Sequence, residues 1–464
     1  MNKVLVISYH FPPTGGSKTR RMLKFLKYLS EFSWTPVVLT VRQGQIFSFD
    51  PSLLEQIPGD VRVYRTRAPL TANSATRSSS AHKKQDPAPR RGLWFWPSLS
   101  GKIFNLGKNW IAVPDRFVTW LPYAVFKGLS VIRNDNVSVI YSTAPPFSNH
   151  LVAALLKGCT QRPLVVDFRD AWIANPARER KYGRIRQAVE SLLEKIVIKS
   201  ADVVVTTTDG ITADFRSRYA SERPGKFITL PNGFDRDEFQ DREASKRTLP
   251  NKNKMSIVHT GYLLMERSPK PFLQALRRLL DERPGLESEM ETHFIGESNT
   301  FLDGKKLIDY IDEYDLHRVV KLTGHVSRGE ATQHQTCADL LLLIIGTVPK
   351  EQVMTYGVAS KVFDYMMAQK YVLAIADEGP VWELVKKTKI GEVLPPSNIE
   401  GIKQCLSRAY DLYTTDALSA DADMAEVSRY DVHVLTSQLA TLLSACVEGA
   451  PVHWETKTTA ADRL

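Results

Sequence analysis

Twice along the chain a short apolar run gives way to a polar loop and then an amphipathic helix, and this alternation limits the fold more than any other feature. Lys3–Ser8 is almost wholly apolar, as expected of a strand covered on both faces. A Pro/Gly loop follows over Phe11–Ser17. Met22, Leu23, Phe25, Leu26 and Leu29 then recur at helical spacing, with Lys and Arg opposite. Pro36–Val41 supplies the next strand. Strand, glycine loop, helix and strand open a βαβ unit.

The alternation continues with strands expected at Ser138–Ser142, Leu164–Phe168 and Asp202–Thr207, and helices at Phe147–Lys157 and Ile185–Lys199. A polar, charged stretch, Asp235–Lys254, reads as a linker. A second series follows, with a helix at Pro271–Leu280 and strands at Ser256–Thr260, Thr292–Ile295, Val319–Leu322, Asp339–Ile345 and Tyr371–Ala376. At 464 residues two domains are expected. The fold class is α/β, with Rossmann-like domains over 1–235 and 236–430, each on a parallel sheet. Residues 431–464 are expected to form a C-terminal helix crossing back to the first domain, then a disordered tail. Thr71–Arg91, rich in Ser, Ala, Lys, Arg and Pro, reads as a mobile insert. The stretch 93–127 interleaves Trp94, Phe95, Trp96, Phe104, Trp110, Phe117 and Trp120 with Lys and Arg. It could seat an acceptor, rest on a membrane surface or form a packed helical excursion.

Several function classes are excluded early. The longest apolar run, around Leu340–Ile345, is far short of a bilayer span, and no secretory signal is evident at the start. The chain is therefore expected to be cytoplasmic. Cys159, Cys337, Cys405 and Cys446 form no CxxC pair, which argues against zinc or a disulfide framework. Residues 1–240 carry a net charge of +16 and the remainder −6. Such a split suggests that the first half meets an anionic partner, or is simply a basic solvated surface.

Gly15 and Gly16 close the loop between the first strand and its helix, where backbone can approach a ligand and helix N–H groups face an anion. The loop has neither the Walker spacing nor GxGxxG. The order of segments is more specific. Tyr9-His-Phe-Pro-Pro-Thr-Gly-Gly16, the Arg20–Leu29 helix and Trp34–Thr40 are followed by Val166-Asp-Phe-Arg-Asp-Ala-Trp172 and Leu230-Pro-Asn-Gly-Phe-Asp235. His259-Thr-Gly-Tyr262, Ala359-Ser-Lys-Val-Phe-Asp-Tyr-Met366 and Tyr371–Gly379 complete the series. Together they resemble the family-4 glycosyltransferases, of the retaining GT-B type, over roughly residues 1–446 outside the insert.

That resemblance implies two parallel sheets facing across a cleft, with a nucleotide-sugar donor between them. It implies transfer of a hexosyl group to an acceptor hydroxyl with retention, in surface polysaccharide or lipid-linked glycan synthesis. No protein nucleophile, cofactor or metal is then required, because protein cations and helix N-termini take the leaving diphosphate charge. Gly15 and Gly16 would close over the diphosphate, and a valine at 16 is expected to block it without harming the fold. Arg267 and Lys361 are the candidate diphosphate cations. Ser360 and Lys361 begin a helix whose N-terminus adds partial positive charge. Asp364 stands where the family's second ribose-binding glutamate does, and Tyr356 where its first does. Arg169 takes the place of a sugar-contacting histidine, flanked by Asp167 and Asp170, a group that fits either a site or a structural Arg–Asp pair. Val326 falls where the backbone meets the nucleobase. His259 reads as a packed core histidine, and Asp235-Arg-Asp237, despite its likeness to a metal-binding DxD, as turn chemistry.

The partners implied are the donor, a glycan or lipid-linked acceptor and an anionic membrane at the inner face of the cytoplasmic membrane, but no nucleic acid. Two rival readings keep the fold: a nucleotide-sugar epimerase, and a non-catalytic glycan- or nucleotide-binding scaffold.

Overall fold

A computed structural model of the chain describes residues 1–42, 49–68, 113–175, 183–240, 254–263, 267–296, 305–345 and 358–450. The expected insert at 71–91, most of the expected linker, Tyr356 and the tail lie outside them. Two compact units emerge. One comprises Met1–Val205, Tyr219–Ile228 and Ala440–Leu464, the other Thr206–Arg218 and Thr229–Leu439.

Among the described residues the first unit is built on seven strands: β1 (Asn2–Ile7), β2 (Trp34–Val41), β3 (Arg62–Thr66), β4 (Val139–Ala144), β5 (Leu164–Phe168), β6 (Val203–Thr206) and β7 (Phe227–Thr229). Their order in the sheet is β3-β2-β1-β4-β5-β6-β7. The pairings from β3 through β5 are all parallel. Val4–Ile7 of β1 and all of β4 and β5 are buried, which is why these strands read as unbroken apolar runs. The sequence pattern did not announce β3. It lies at the sheet edge with no fully buried residue, so Arg-Val-Tyr-Arg-Thr needs no apolar run. Helices Leu121–Asn134, Ser148–Thr160 and Arg184–Ser200 pack side by side in that order. Of the aromatic stretch 93–127, residues 113–127 are described. Phe117 and Trp120 are buried against Tyr9, whereas Tyr123 and Phe126 face outward.

The second unit carries β8 (Met255–Thr260), β9 (Met290–Ile295), β10 (Val320–Gly324), β11 (Leu340–Ile344), β12 (Tyr371–Ile375) and β13 (Gly391–Leu394). They are ordered β10-β9-β8-β11-β12-β13, and every pairing is parallel. Alternate residues serve two cores. Met255 and Ile257 join Phe272, Leu276 and Leu279 of the amphipathic helix Lys270–Glu282. Val258 and Ile295 join Val362, Phe363 and Met366 of the helix Lys361–Ala368. Among the described residues no helix is long and apolar enough to cross a membrane.

One buried ion pair fixes the glycine-loop helix to the first sheet. Arg21 of the helix Ser17–Leu29 reaches Asp167 of β5 through two contacts, Nε–Oδ2 at 3.1 Å and Nη2–Oδ1 at 3.3 Å. The Tyr141 hydroxyl and the Thr143 hydroxyl donate to the same carboxylate at 2.8 and 2.9 Å. Removing one member of such a pair strands the other charge in a dry site. Asp167→Ala should therefore lower unfolding stability by about 3–5 kcal/mol, read from the urea midpoint. A loss under about 1 kcal/mol, the value of a surface pair, would show that Arg21 finds water instead.

Candidate functional site

In the first unit, Gly16 sits immediately before the helix Ser17–Leu29 at φ 94° and ψ 174°, a region held essentially by glycine alone. A Cβ built there would meet nothing within 4 Å. This corrects the expectation that a valine at 16 spares the fold: backbone conformation, rather than lack of room, demands glycine. Gly15 beside it is half-buried. The loop is closed by the Thr19 hydroxyl, which donates to the Thr14 carbonyl at 2.9 Å.

Arg169 lies just past β5. Its Nε donates to the Ala144 carbonyl at 3.2 Å and its Nη2 to the Pro145 carbonyl at 2.7 Å. Burial lowers its pKa, opposed by Asp167 and Asp170. The two carbonyls hold the guanidinium in place at the strand end. Asp170 is half-buried beside it. Asp167 belongs to the Arg21 pair, which gives it a structural role.

The second unit gathers its candidates along the C-terminal edge of its sheet, where parallel α/β sheets hold ligands. Three adjacent strands run out into glycines with positive φ: Gly261 after β8 (101°), Gly296 after β9 (137°) and Gly324 ending β10 (77°). The Gly261 N–H donates to the Ile295 carbonyl at 2.7 Å, and the Gly296 N–H to the Gly324 carbonyl at 2.8 Å. A Cβ on Gly296 would lie 2.5 Å from the Gly261 carbonyl oxygen. The result is a ledge of bare backbone. Gly296 was not singled out in the sequence, and only its fold neighbours reveal it.

Over this ledge stands Lys361, the first residue of the helix Lys361–Ala368. A Cβ on Gly261 would come within 3.1 Å of Lys361 Nζ, so the bare glycine leaves the ammonium its place. Nζ lies 3.4 Å from His259 Nε2, and His259 Nδ1 lies 2.9 Å from the Leu342 carbonyl. A carbonyl can only accept, so Nδ1 carries the proton and Nε2 presents its lone pair to the lysine. Burial, then Lys361 and Arg267, hold the His259 pKa well below its ordinary value. Lys361 is pushed down to about 7 by burial, with Arg267 adding to the shift and Asp364 opposing it. His259 is thus a buried histidine, as its sequence suggested, with one nitrogen turned to the candidate site.

Asp364 is buried and committed to Arg328 through a fork: Nη1–Oδ2 at 2.8 Å and Nη2–Oδ1 at 2.7 Å. Glu238 takes a further bond from Nη2 at 2.9 Å. The two carboxylates outweigh burial and raise the Arg328 pKa. Arg328 was missed in the sequence. Its local signal is the capping box Ser327-Arg-Gly-Glu330, in which the Glu330 N–H donates to Ser327 Oγ at 3.2 Å and the Ser327 N–H to Glu330 Oε2 at 2.9 Å. That box announces a helix start just beyond β10, though not the partner. Val326 is half-buried against the core beside it. Ser360 is exposed and caps nothing with its side chain. Arg267 is half-buried and near enough to depress both His259 and Lys361. Asp235 is buried and accepts from the Asp237 N–H at 3.1 Å, just before the short helix Asp237–Gln240.

The ledge makes a contrast that can be measured. Gly296→Ala must displace backbone and should cost several kcal/mol, whereas Gly324→Ala has open space and bears only left-handed strain of about 1 kcal/mol. Urea denaturation of both separates the cases. Equal losses would mean that the ledge is not packed as described.

Residues 19–233 match the model of a glycosyl transferase 4-like domain. A curated relative, D-inositol 3-phosphate glycosyltransferase of Kineococcus radiotolerans, is 25% identical over 154 residues. That alignment takes in 32% of this chain and 35% of the relative. Sucrose-phosphate synthase of Thermosynechococcus elongatus superposes with a TM-score of 0.61 at 14% identity, over 97% of this chain and 100% of that one. Anabaena HepE in complex with UDP-glucose gives 0.60 at 17% identity, over 96% and 99%. Trehalose 6-phosphate synthase of Burkholderia multivorans gives 0.59 at 12%, over 97% and 99%. Residues 19–233 thus match a glycosyl transferase 4-like domain, and the chain has the two-sheet GT-B fold of these structures.

Proposed function

We propose that the chain is a retaining glycosyltransferase that moves a hexosyl group from a nucleotide sugar to an acceptor hydroxyl, in surface polysaccharide or lipid-linked glycan synthesis. The observation that carries this reading is Lys361 over the glycine ledge, a cation with no bonded carboxylate among the described residues and bare backbone beneath it. A diphosphate suits such a place, because anionic oxygens can approach Gly261 and neutralise Lys361 and Arg267 together. The domain match, and a structural neighbour that binds UDP-glucose, support the same substrate class.

In this reading the bond from the anomeric carbon to the diphosphate oxygen breaks while Lys361 and Arg267 take up the growing negative charge. The acceptor oxygen bonds to the same face of that carbon, and its proton passes to the departing phosphate oxygen. The protein supplies cations and orientation; it needs no metal for the step. Gly15, Gly16, Arg169 and Asp170 are assigned to the donor by resemblance, as are Ser360 and Val326. Asp364 can offer a ribose hydroxyl only the lone pairs that the Arg328 fork leaves over.

Thermal-shift screening against UDP, GDP, ADP and their sugars should identify the base, since a ligand at 100 times its Kd stabilises by about 2.7 kcal/mol. With that donor, Lys361→Ala should lower kcat by about a hundredfold, the loss seen when one preorganised donor to a developing charge is removed. Asp364→Asn should act differently. It should raise donor KM and also destabilise the fold, by about 3 kcal/mol at most, because Arg328 loses the charge of one of its two carboxylate partners and keeps Glu238. Circular dichroism, urea midpoints and steady-state kinetics measure all three. Unchanged kcat in folded Lys361→Ala would remove the lysine from the reaction.

A further inference from the structure

A lysine drawn into a folded protein is normally matched by a carboxylate. Lys226, itself buried, follows that pattern with Glu222 at 2.8 Å. Lys157 and Lys305 are likewise matched by Asp202 at 2.9 Å and Glu313 at 2.6 Å. Lys361 differs. Its Nζ lies 3.4 Å from His259 Nε2 and is bonded to no carboxylate among the described residues. His259 is fully buried, and the bond from its Nδ1 to the Leu342 carbonyl at 2.9 Å leaves Nε2 a lone pair and no proton. Such a nitrogen accepts an N–H from a neutral amine as readily as it accepts one from an ammonium. Burial, with the repulsion of Arg267 added and the attraction of Asp364 opposed to it, pushes the lysine down to about 7.

A lysine desolvated beside another cation is an activated nucleophile, and the surroundings limit what it can attack. The electrophile must be small, because the free space beside Nζ is that of one missing side chain: a Cβ on Gly261 would stand 3.1 Å away. It must arrive without charge, since an anion coming first would return the amine to its protonated form. Its product should be an anion, which the neighbouring guanidinium favours. Carbon dioxide meets all three conditions, whereas an acyl phosphate fails the second.

We propose that Lys361 is a carbamate-forming site that takes up carbon dioxide. The Nζ lone pair forms a bond to the carbon, one C–O π bond opens onto its oxygen, and the nitrogen sheds one proton to bulk water. Nothing is oxidised or reduced. The carbamate nitrogen keeps one hydrogen, which donates to His259 Nε2 in place of the amine's. The oxygens carry a negative charge that Arg267 stabilises. The consequence for turnover rests on the glycosyltransferase reading: a cation for the diphosphate becomes an anion, so carbon dioxide lowers transfer reversibly. The bond itself does not depend on that reading.

The test is carbon-13 NMR of the full chain in labelled bicarbonate at pH 7.5, with no donor present. A lysine of ordinary pKa is almost wholly protonated there, so Lys361 should form carbamate well ahead of surface lysines. Triethyloxonium fixes a carbamate as its ethyl ester, and mass spectrometry should find that ester on the peptide containing Lys361. Lys361→Arg, charged throughout, should lose the resonance and keep any signal it shares through the Met1 amine. Arg267→Gln should weaken it by about tenfold, because losing the neighbouring charge both reprotonates the amine and leaves the carbamate unopposed. Circular dichroism checks both folds, and trapping on the wild type assigns the site without any variant. No ester on Lys361, a resonance that persists in folded Lys361→Arg, or full signal in folded Arg267→Gln would overturn the proposal. Loss of nucleotide-sugar binding or transfer would instead count against the glycosyltransferase reading and leave the carbamate standing.

Discussion

At the end of the second sheet an ammonium, a guanidinium and a neutral imidazole share a poorly solvated space. Lys361 reaches His259 Nε2, Arg267 repels it, and the nearby carboxylate of Asp364 is already held by Arg328. The lysine is therefore charged only at a cost, which shows as its displaced pKa. What Lys361 lacks here, among the described residues, is a bonded anion. The bare backbone of Gly261 leaves room for one, and the rest of the site can be understood as arranged around that deficit.

Parallel sheets make this placement natural. A strand buried on both faces cannot carry functional groups along its length, because each would need a buried partner. Chemistry is pushed to the strand ends. In the first unit Arg169 occupies such an end, oriented by the carbonyls of Ala144 and Pro145, while Asp167, still within β5, is consumed by Arg21, Tyr141 and Thr143. In the second unit Gly261, Gly296 and Gly324 stand at three such ends.

The limits of sequence reading follow from the same physics. Central strands such as β4, β8 and β11 are legible because complete burial forces apolar runs. The edge strands β3 and β13 are not, since half-exposed edges accept Arg-Val-Tyr-Arg-Thr or Gly-Glu-Val-Leu without penalty. Residues whose roles come from distant partners were harder still. Nothing near Arg328 names Asp364, which lies 36 residues on, and nothing near Arg21 names Asp167. His259 shows the intermediate case: its burial is legible from the strand, but its second nitrogen acquires meaning only when Lys361 arrives from another element.

The central claim is that Lys361 sits beside the ledge short of an anion, and that a donor diphosphate supplies one. Isothermal titration of the stabilising nucleotide sugar at pH 8, in buffers of different ionisation enthalpy, tests it directly. A sugar-bearing diphosphate has no secondary phosphate to titrate near neutrality, so proton exchange would belong to the protein. With Lys361 at about 7, most molecules hold a neutral amine at that pH, and an arriving anion should raise the pKa and draw in a proton. The account predicts proton uptake approaching one per donor bound, abolished in Lys361→Arg, whose side chain is charged throughout. Tight binding with heats independent of the buffer in the wild type would contradict it.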